Sequence, residues 1–140
     1  MREQFLEGVS SVLGDLRDRA RDIEELRRVS DDSMKQLVGT GFFRALQPSR
    51  YGGLELDAMD FYEAVRRIAG ACGSSGWVAS ILGVHPWQLA LFPDQAQADV
   101  WSDDPDTLVH SLVPIADRTI ANGLYRLLAF LTLYNWGRVY

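Results

Sequence analysis

His85 is the residue in this sequence with the clearest capacity for acid–base chemistry, and Pro86 follows it directly. Proline disfavours helical geometry in the residue before it, so we expect one helix to stop at His85 and another to begin through Trp87. A side chain at a helix end can point into a cleft, and imidazole exchanges a proton near neutral pH. The alternative, which is the commoner situation, is a histidine that makes a local hydrogen bond to the backbone.

Other potentially reactive residues have plainer interpretations. Cys72 is the single cysteine, which excludes an internal disulfide and a Cys-rich metal site, and we interpret it as a packed thiol. Gly73-Ser-Ser-Gly lacks the lysine and the strand–loop–helix context of a phosphate-binding loop, so it predicts a helix break and cap. His110 lies in a predicted strand opposite alternating apolar residues, which favours a solvent-exposed face over a catalytic pair with His85.

Three tryptophans have the spacing of core anchors rather than of a stacking platform. We expect Trp77 and Trp101 to lie in the core and Trp87 to border a pocket beside His85.

The composition is that of an ordinary globular domain: 140 residues, 47% hydrophobic and 24% charged, with a net charge of -5. Arginines alternate with acidic residues between Asp15 and Arg28, which is typical of a solvated helix face and argues against nucleic-acid binding. Leu127 to Tyr134, the most apolar stretch, is far shorter than the roughly 20 residues of a membrane-spanning helix. The N-terminus does not resemble a secretion signal, so we expect a cytoplasmic protein without membrane contact.

Apolar periodicity and capping residues predict a mainly helical chain. One long amphipathic helix is expected from Phe5 to Leu26. The fourth predicted helix is apolar nearly all round, so it should be the most buried. The remaining predicted helices are Asp32 to Val38 with an N-cap at Ser30 or Asp31, one starting near Asp57 or Asp60 and running towards Gly70, the fourth helix capped by Ser74 or Ser75, and one from Pro93-Asp94 through Trp101.

The character of the sequence changes after residue 104. Leu108 and Val109 begin a short β-type run, and Asn122-Gly123 is a strong hairpin signal. We therefore predict a helical domain over 1–104 and the start of a β domain over 105–140, with an atypical apolar tail at 127–140.

Five blocks, taken in order, resemble one family. They are Leu26-Arg-Arg-Val-Ser-Asp, Gly41-Phe-Phe-Arg-Ala-Leu-Gln-Pro, Tyr51-Gly-Gly-Leu-Glu, Ala71-Cys-Gly-Ser-Ser-Gly-Trp-Val and Val84-His-Pro-Trp-Gln-Leu-Ala-Leu-Phe. The family comprises the oxygenase components of two-component, flavin-dependent aromatic hydroxylases, of the p-hydroxyphenylacetate and secosteroid phenol hydroxylase type. The resemblance covers about nine-tenths of the chain but only about the first third of a typical member.

The resemblance implies the acyl-CoA dehydrogenase fold, of which this chain would supply the N-terminal helical domain and the first strands of the β domain. It further implies a cofactor, reduced FMN or FAD supplied by a partner flavin reductase, together with an aromatic substrate, O2 and a homotetramer. Most of the flavin site would lie beyond Tyr140. We therefore expect that this chain by itself does not catalyse the reaction and does not bind flavin.

The resemblance also implies site residues. His85 matches the histidine that contacts the phenol, Trp87 would border the substrate, and Ser111 is a weaker match to a substrate-side serine. Two other functions stay open: an acyl-CoA dehydrogenase-like protein, and a non-catalytic helical interaction or oligomerisation module.

Overall fold

The computed structural model describes residues 1–111 and 131–134, and it confirms the predicted mainly helical fold. Within these residues the helices come first and a two-stranded sheet follows. The helices are α1 (Arg2–Ser11), α2 (Leu13–Asp18), α3 (Ala20–Leu26), α4 (Asp31–Gly39), α5 (Ala58–Ala71), α6 (Gly73–Ala90) and α7 (Asp94–Trp101), with two 3-10 helices, Phe42–Arg44 and Ser49–Tyr51. The strands are β1 (Leu108–Ser111) and β2 (Leu131–Tyr134).

The long first helix predicted from the sequence is divided into three. Two single residues interrupt it. Val12 has φ and ψ of -99° and -5°, and Arg19 has φ and ψ of -89° and -1°. The interruptions lie seven residues apart, as do the fully buried Val9, Leu16 and Ile23. A regular α-helix drifts by about 20° over seven residues. At Val12 the turn is locally tighter, since its N–H donates to the Val9 carbonyl oxygen three residues earlier at 3.3 Å, whereas the Arg19 N–H donates to the Asp15 carbonyl oxygen at 3.1 Å, as in a regular helix.

Two helix starts follow the capping prediction. Ser30 caps α4, and its Oγ accepts a hydrogen bond from the Ser33 N–H at 3.3 Å. Asp57 caps α5, and its carboxylate accepts a hydrogen bond from the Met59 N–H at 2.7 Å.

The prediction for α6 is wrong in two respects. The helix does not stop at His85 but continues through Pro86 to Ala90, because packing of α5 and β1 against it outweighs the one hydrogen bond that proline removes. Neither Ser74 nor Ser75 caps it: the N-cap residue is Cys72, which makes no side-chain capping bond. Cys72 is buried, as expected of a packed thiol.

Small residues allow α6 to pack closely against the rest of the core. A Cβ atom at Gly76 would lie 2.5 Å from the Ala69 Cα atom of α5. A Cβ atom at Gly83 would lie 2.6 Å from the Phe61 ring and 2.9 Å from the Phe42 ring. The large side chains packed at Gly83 therefore come from other elements, Phe61 from α5 and Phe42 from the first 3-10 helix.

The opposite face of α6 carries large apolar side chains that are exposed in the described structure. Trp77 is 70% exposed, Leu91 69% and Ile81 41%. The expectation that this helix is the most buried is confirmed among the described helices, since seven of its 18 residues are buried. Its buried side includes Gly76, Ala79 and Leu89, so the expectation did not show which large side chains would face outward. No helix among the described residues is both long and apolar enough to cross a membrane.

A second, smaller apolar cluster joins the end of α6 to α7 and the sheet. It contains Leu89, Trp101 and Val109, with Tyr51 packed against it. β1 pairs antiparallel with β2, Leu108 opposite Tyr134 and Ser111 opposite Leu131. The predicted β-type run is confirmed at 108–111, whereas Asn122-Gly123 lies outside the described residues. The domain boundary after residue 104 stays a prediction.

Candidate functional site

His85 is almost buried on α6, at 6% exposure. Its ring Nδ1 donates a hydrogen bond to the carbonyl oxygen of Ile81, one turn earlier in the same helix. The local backbone bond that was the alternative interpretation is thus present. It does not exclude a chemical role, because a neutral imidazole that donates from Nδ1 has its acceptor lone pair on Nε2.

The tryptophans divide differently from the prediction. Trp101 is 1% exposed and packs in the second cluster, as predicted, whereas Trp77 is 70% exposed and is not a core residue. Trp87 is 49% exposed and lies two residues after His85 on the same helix.

Ser111 is the last residue of β1, and its backbone pairs with Leu131. The side chains of His110 and Ser111 lie outside the described part of the structure. At the level of elements, α6 packs against β1, so the helix that carries His85 and Trp87 neighbours the strand that ends at Ser111. The roles of these three residues stay predictions.

Gln97, a residue that the sequence analysis did not single out, forms the centre of a buried hydrogen-bond network. Its side chain is 2% exposed. The amide Nε2 donates to the carbonyl oxygens of Ala90 at 3.1 Å and Phe92 at 2.7 Å, and Oε1 accepts from the Arg50 Nη2 at 2.8 Å. The signal in the sequence was an amide four residues before Trp101, on the buried side of α7.

Arg50 connects this network to the loop that contains the Tyr51-Gly-Gly motif. Its Nη2 also donates to the Asp94 carboxylate at 2.7 Å, and its guanidinium lies 5.2 Å from the centre of the Tyr51 ring. The Tyr51 ring in turn packs on Trp101 at 5.6 Å between centroids.

Gln47, also buried, anchors the other side of the loop. Its Nε2 donates to the carbonyl oxygens of Tyr51 at 2.7 Å and Pro105 at 3.0 Å. The backbone at Gly53 approaches so closely that a Cβ atom there would lie 1.9 Å from the Gln47 carbonyl oxygen. Glycine is therefore required at this position, and the loop holds the residues just before β1.

An open groove of about 570 Å³ lies at the N-terminal end of α6. Among the described residues its lining includes Arg27, Val29 and Trp77 and does not include His85. The groove and the His85 region are therefore separate features of α6.

Comparison with known proteins places these features in a family. Residues 2–103 match the family described as acyl-CoA dehydrogenase, N-terminal domain. The chain is 51% identical over 121 residues to the flavin-dependent monooxygenase, oxygenase subunit HsaA, of Rhodococcus jostii. The aligned region covers 86% of this chain and 32% of that protein. It is 39% identical over 109 residues to the p-hydroxyphenylacetate 3-hydroxylase oxygenase component of Acinetobacter baumannii, covering 78% of this chain and 26% of the relative.

The likeness extends to solved structures. The crystal structure of 3-HSA hydroxylase from Rhodococcus sp. RHA1 has a TM-score of 0.75 and 53% identity, over 80% of this chain and 30% of that one. The chain thus spans about a third of the length of these relatives. It belongs to the acyl-CoA dehydrogenase N-terminal domain family, and it is homologous to the N-terminal third of the oxygenase components of flavin-dependent aromatic monooxygenases.

Proposed function

We propose that this chain is a fragment or shortened form of the oxygenase component of a monooxygenase that uses reduced flavin to hydroxylate a phenolic substrate. The observation that carries the proposal is the 51% identity to such an oxygenase subunit over 86% of the chain. The relatives support a hydroxylase over an acyl-CoA dehydrogenase, although the family model is named after the latter.

In this proposal His85 acts on the substrate hydroxyl group. In the tautomer that donates from Nδ1 to Ile81, Nε2 is the ring atom that would accept the phenolic proton when the substrate is bound. Removal of that proton makes the ring more electron-rich, which favours transfer of an electrophilic oxygen to it. The bond to the Ile81 carbonyl holds the imidazole in one tautomer, and the nearly complete burial of the ring limits competition from water.

Trp87 and Ser111 have supporting roles in the proposed site. The half-exposed indole of Trp87 would form an apolar wall against an aromatic ring. Ser111, at the end of the neighbouring strand, would offer a hydroxyl group to the substrate. Its assignment rests on the family resemblance and on its place in β1.

The described residues fit one wall of a flavin site rather than a complete site. Residues 73–92, which contain all of α6, include no Asp, Glu, Lys or Arg. Their two tryptophans are 70% and 49% exposed, and an exposed apolar surface of this kind would suit a flat ring system. Bound reduced flavin, FMN or FAD, would supply the activated oxygen. The remaining contacts, the flavin reductase and a homotetramer belong to the proposed whole enzyme, which we place in the cytoplasm without nucleic-acid or membrane partners.

A chimera tests the proposal. Residues 1–104 would replace the aligned segment of the Rhodococcus jostii oxygenase, and product formation from the parent enzyme's own substrate would be measured with photoreduced FMN or FAD and O2. We expect hydroxylation by the chimera and a loss of at least about 100-fold on His85→Gln, the low side of the usual contribution of a general base. A folded, flavin-binding His85→Gln chimera that hydroxylates at the unchanged rate would contradict the role of His85.

A direct titration tests the chain alone. Photoreduced FMN and FAD are added anaerobically to the 140-residue protein. We expect no saturable binding, because the family resemblance implies that most of the flavin site lies beyond residue 140; saturable binding would show that this chain holds a working flavin site.

A non-catalytic assembly module is the second candidate, favoured by the exposed Trp77, Ile81 and Leu91. Apolar faces of this kind commonly mediate association. Light scattering distinguishes the two, since a monomer at all concentrations would weaken the module function.

A further inference from the structure

We propose that Gln97 is a positioning residue for His85, acting through the C-terminal turn of α6. The inference rests on the proposed function for the chemical meaning of His85. Its structural content is independent: Gln97 fixes the part of α6 that proline has weakened.

Pro86 removes one backbone hydrogen bond from α6 directly after His85. Because Pro86 has no N–H, the Leu82 carbonyl cannot receive the usual helical hydrogen bond, and the turn after Pro86 is joined to the preceding turn by one bond fewer. Beyond it the helix ends on i→i+3 bonds, from Leu91 to Gln88 at 3.1 Å and from Phe92 to Leu89 at 3.0 Å. His85 therefore lies between the regular N-terminal part of α6 and a C-terminal turn that is held by fewer backbone hydrogen bonds.

Gln97, from α7, donates hydrogen bonds to the backbone at the C-terminal end of α6. The last carbonyls of a helix lack intrahelical donors, and Gln97 gives one N–H group to the carbonyl of Ala90, the last residue of α6, and the other to the carbonyl of Phe92, two residues beyond it. The amide is buried, so these bonds do not exchange readily with water. Gln97 therefore restores, from α7, some of the constraint that Pro86 removes.

Gln97 is itself anchored by Arg50. Its Oε1 accepts a charge-assisted bond from Arg50, which also pairs with Asp94. Arg50 belongs to the loop that Gln47 ties to Pro105, six residues before Ser111. One loop thus fixes both the end of α6 and the approach to β1, the two elements that carry the proposed site residues.

The test uses the two histidines of the full chain as reporters. The protein is labelled with ¹⁵N-histidine, the ring nitrogens are observed by NMR above the pH of imidazole titration, and His110→Gln assigns the signals. We expect His85 in the wild type to be a single Nδ1–H tautomer. In Gln97→Met, which keeps the length of the side chain but none of its hydrogen bonds, we expect both ring shifts to move towards tautomer-averaged values.

Two further variants separate positioning from general stability. Gln97→Glu keeps an acceptor for Arg50 but loses both donors, so it should behave like Gln97→Met. Gln95→Met is the matched control, because Gln95 lies on the same helix, is exposed and bonds only to Asp99 in the described structure, and it should leave His85 unchanged.

A folded Gln97→Met protein with a lower melting temperature and wild-type His85 ring shifts would overturn the proposal. If Gln97→Met fails to fold, Arg50→Met removes the anchor of the network at a more exposed position. It should shift the His85 signals in the same direction, and unchanged signals would again overturn the proposal. None of these outcomes depends on hydroxylation, so a failed chimera and a failed positioning role are distinguishable.

Discussion

Gly76→Ala should loosen the contact between α5 and α6, because a methyl group there meets the backbone of the neighbouring helix. The added Cβ atom would lie 2.5 Å from the Cα and Cβ atoms of Ala69 and 2.8 Å from its nitrogen. None of these atoms can rotate away, so α5 must shift as a whole. Overpacking of this kind costs about 3 kcal/mol at the upper end of its usual range, and alanine's higher helix propensity returns about 1 kcal/mol. We expect a net loss of about 2 kcal/mol in the free energy of unfolding.

Urea denaturation followed by circular dichroism measures this loss, and Gly8→Ala is the matched control. Gly8 is also inside a helix, but its Cβ atom would make only ordinary contacts, 3.8 Å from Thr40. It should raise the free energy of unfolding by up to about 1 kcal/mol, so the two variants should differ by about 3 kcal/mol. Equal stability of Gly76→Ala and Gly8→Ala would refute the close approach of α5 and α6.

Three further predictions concern a cap, an acid-sensitive carboxylate and an exposed indole. Ser30→Ala should lower the free energy of unfolding by about 1 kcal/mol in urea titrations, because it removes the cap of α4 and leaves the buried Ser33 hydroxyl without its partner; a neutral effect would exclude the cap. Two arginines lower the pKa of Glu63 from 4.5 to about 2, so its contribution to stability is present above about pH 4.5 and is lost as the pH falls towards about 2. Glu63→Gln should therefore flatten the fall of melting temperature across this pH window, and an unchanged pH profile would refute the ion pairing. Trp77→Phe should remove an emission component that is accessible to quenching by iodide, whereas Trp101→Phe should remove a protected component, and the reverse pattern would contradict the orientation of α6.

Local chemistry made the starts of α4 and α5 predictable. Ser30 and Asp57 act on N–H groups within three residues of themselves, so their capping bonds depend little on the rest of the fold.

The orientation of α6 could not be predicted in the same way. Amphipathic patterns identify a buried face through the contrast between apolar and charged residues, and residues 73–92 carry no charge. The contrast that decided the orientation was one of size, since Gly76 and Gly83 face the core while Trp77 faces outward. Likewise, the helix end predicted at His85 was based on the local effect of Pro86 alone. It did not take into account the packing that keeps the helix continuous through Pro86.

The candidate site was predictable only in its first members. His85 and Trp87 are only two residues apart in the sequence, but the sequence predicted a helix break between them, whereas both lie on α6. Side chains at this spacing point to different sides of a helix, so their relative orientation depends on the structure. Gln97 joins them through contacts with Ala90, Phe92 and a loop more than 40 residues away in sequence, which no local pattern specifies.

The seven-residue spacing of Val9, Leu16 and Ile23 restricts how the length of the first 26 residues can change in evolution. Removing one residue from α2 after Leu16 would turn everything on its N-terminal side by about 100° relative to the rest and would place Asp15 where Leu16 now packs. Removing residues 12–18 would instead shorten the segment by about 10 Å and would leave Ile23 on the same face of the helix as Val9, seven residues after it. Insertions and deletions should therefore be accepted here in whole sevens, so length variation among natural variants should be stepwise rather than gradual.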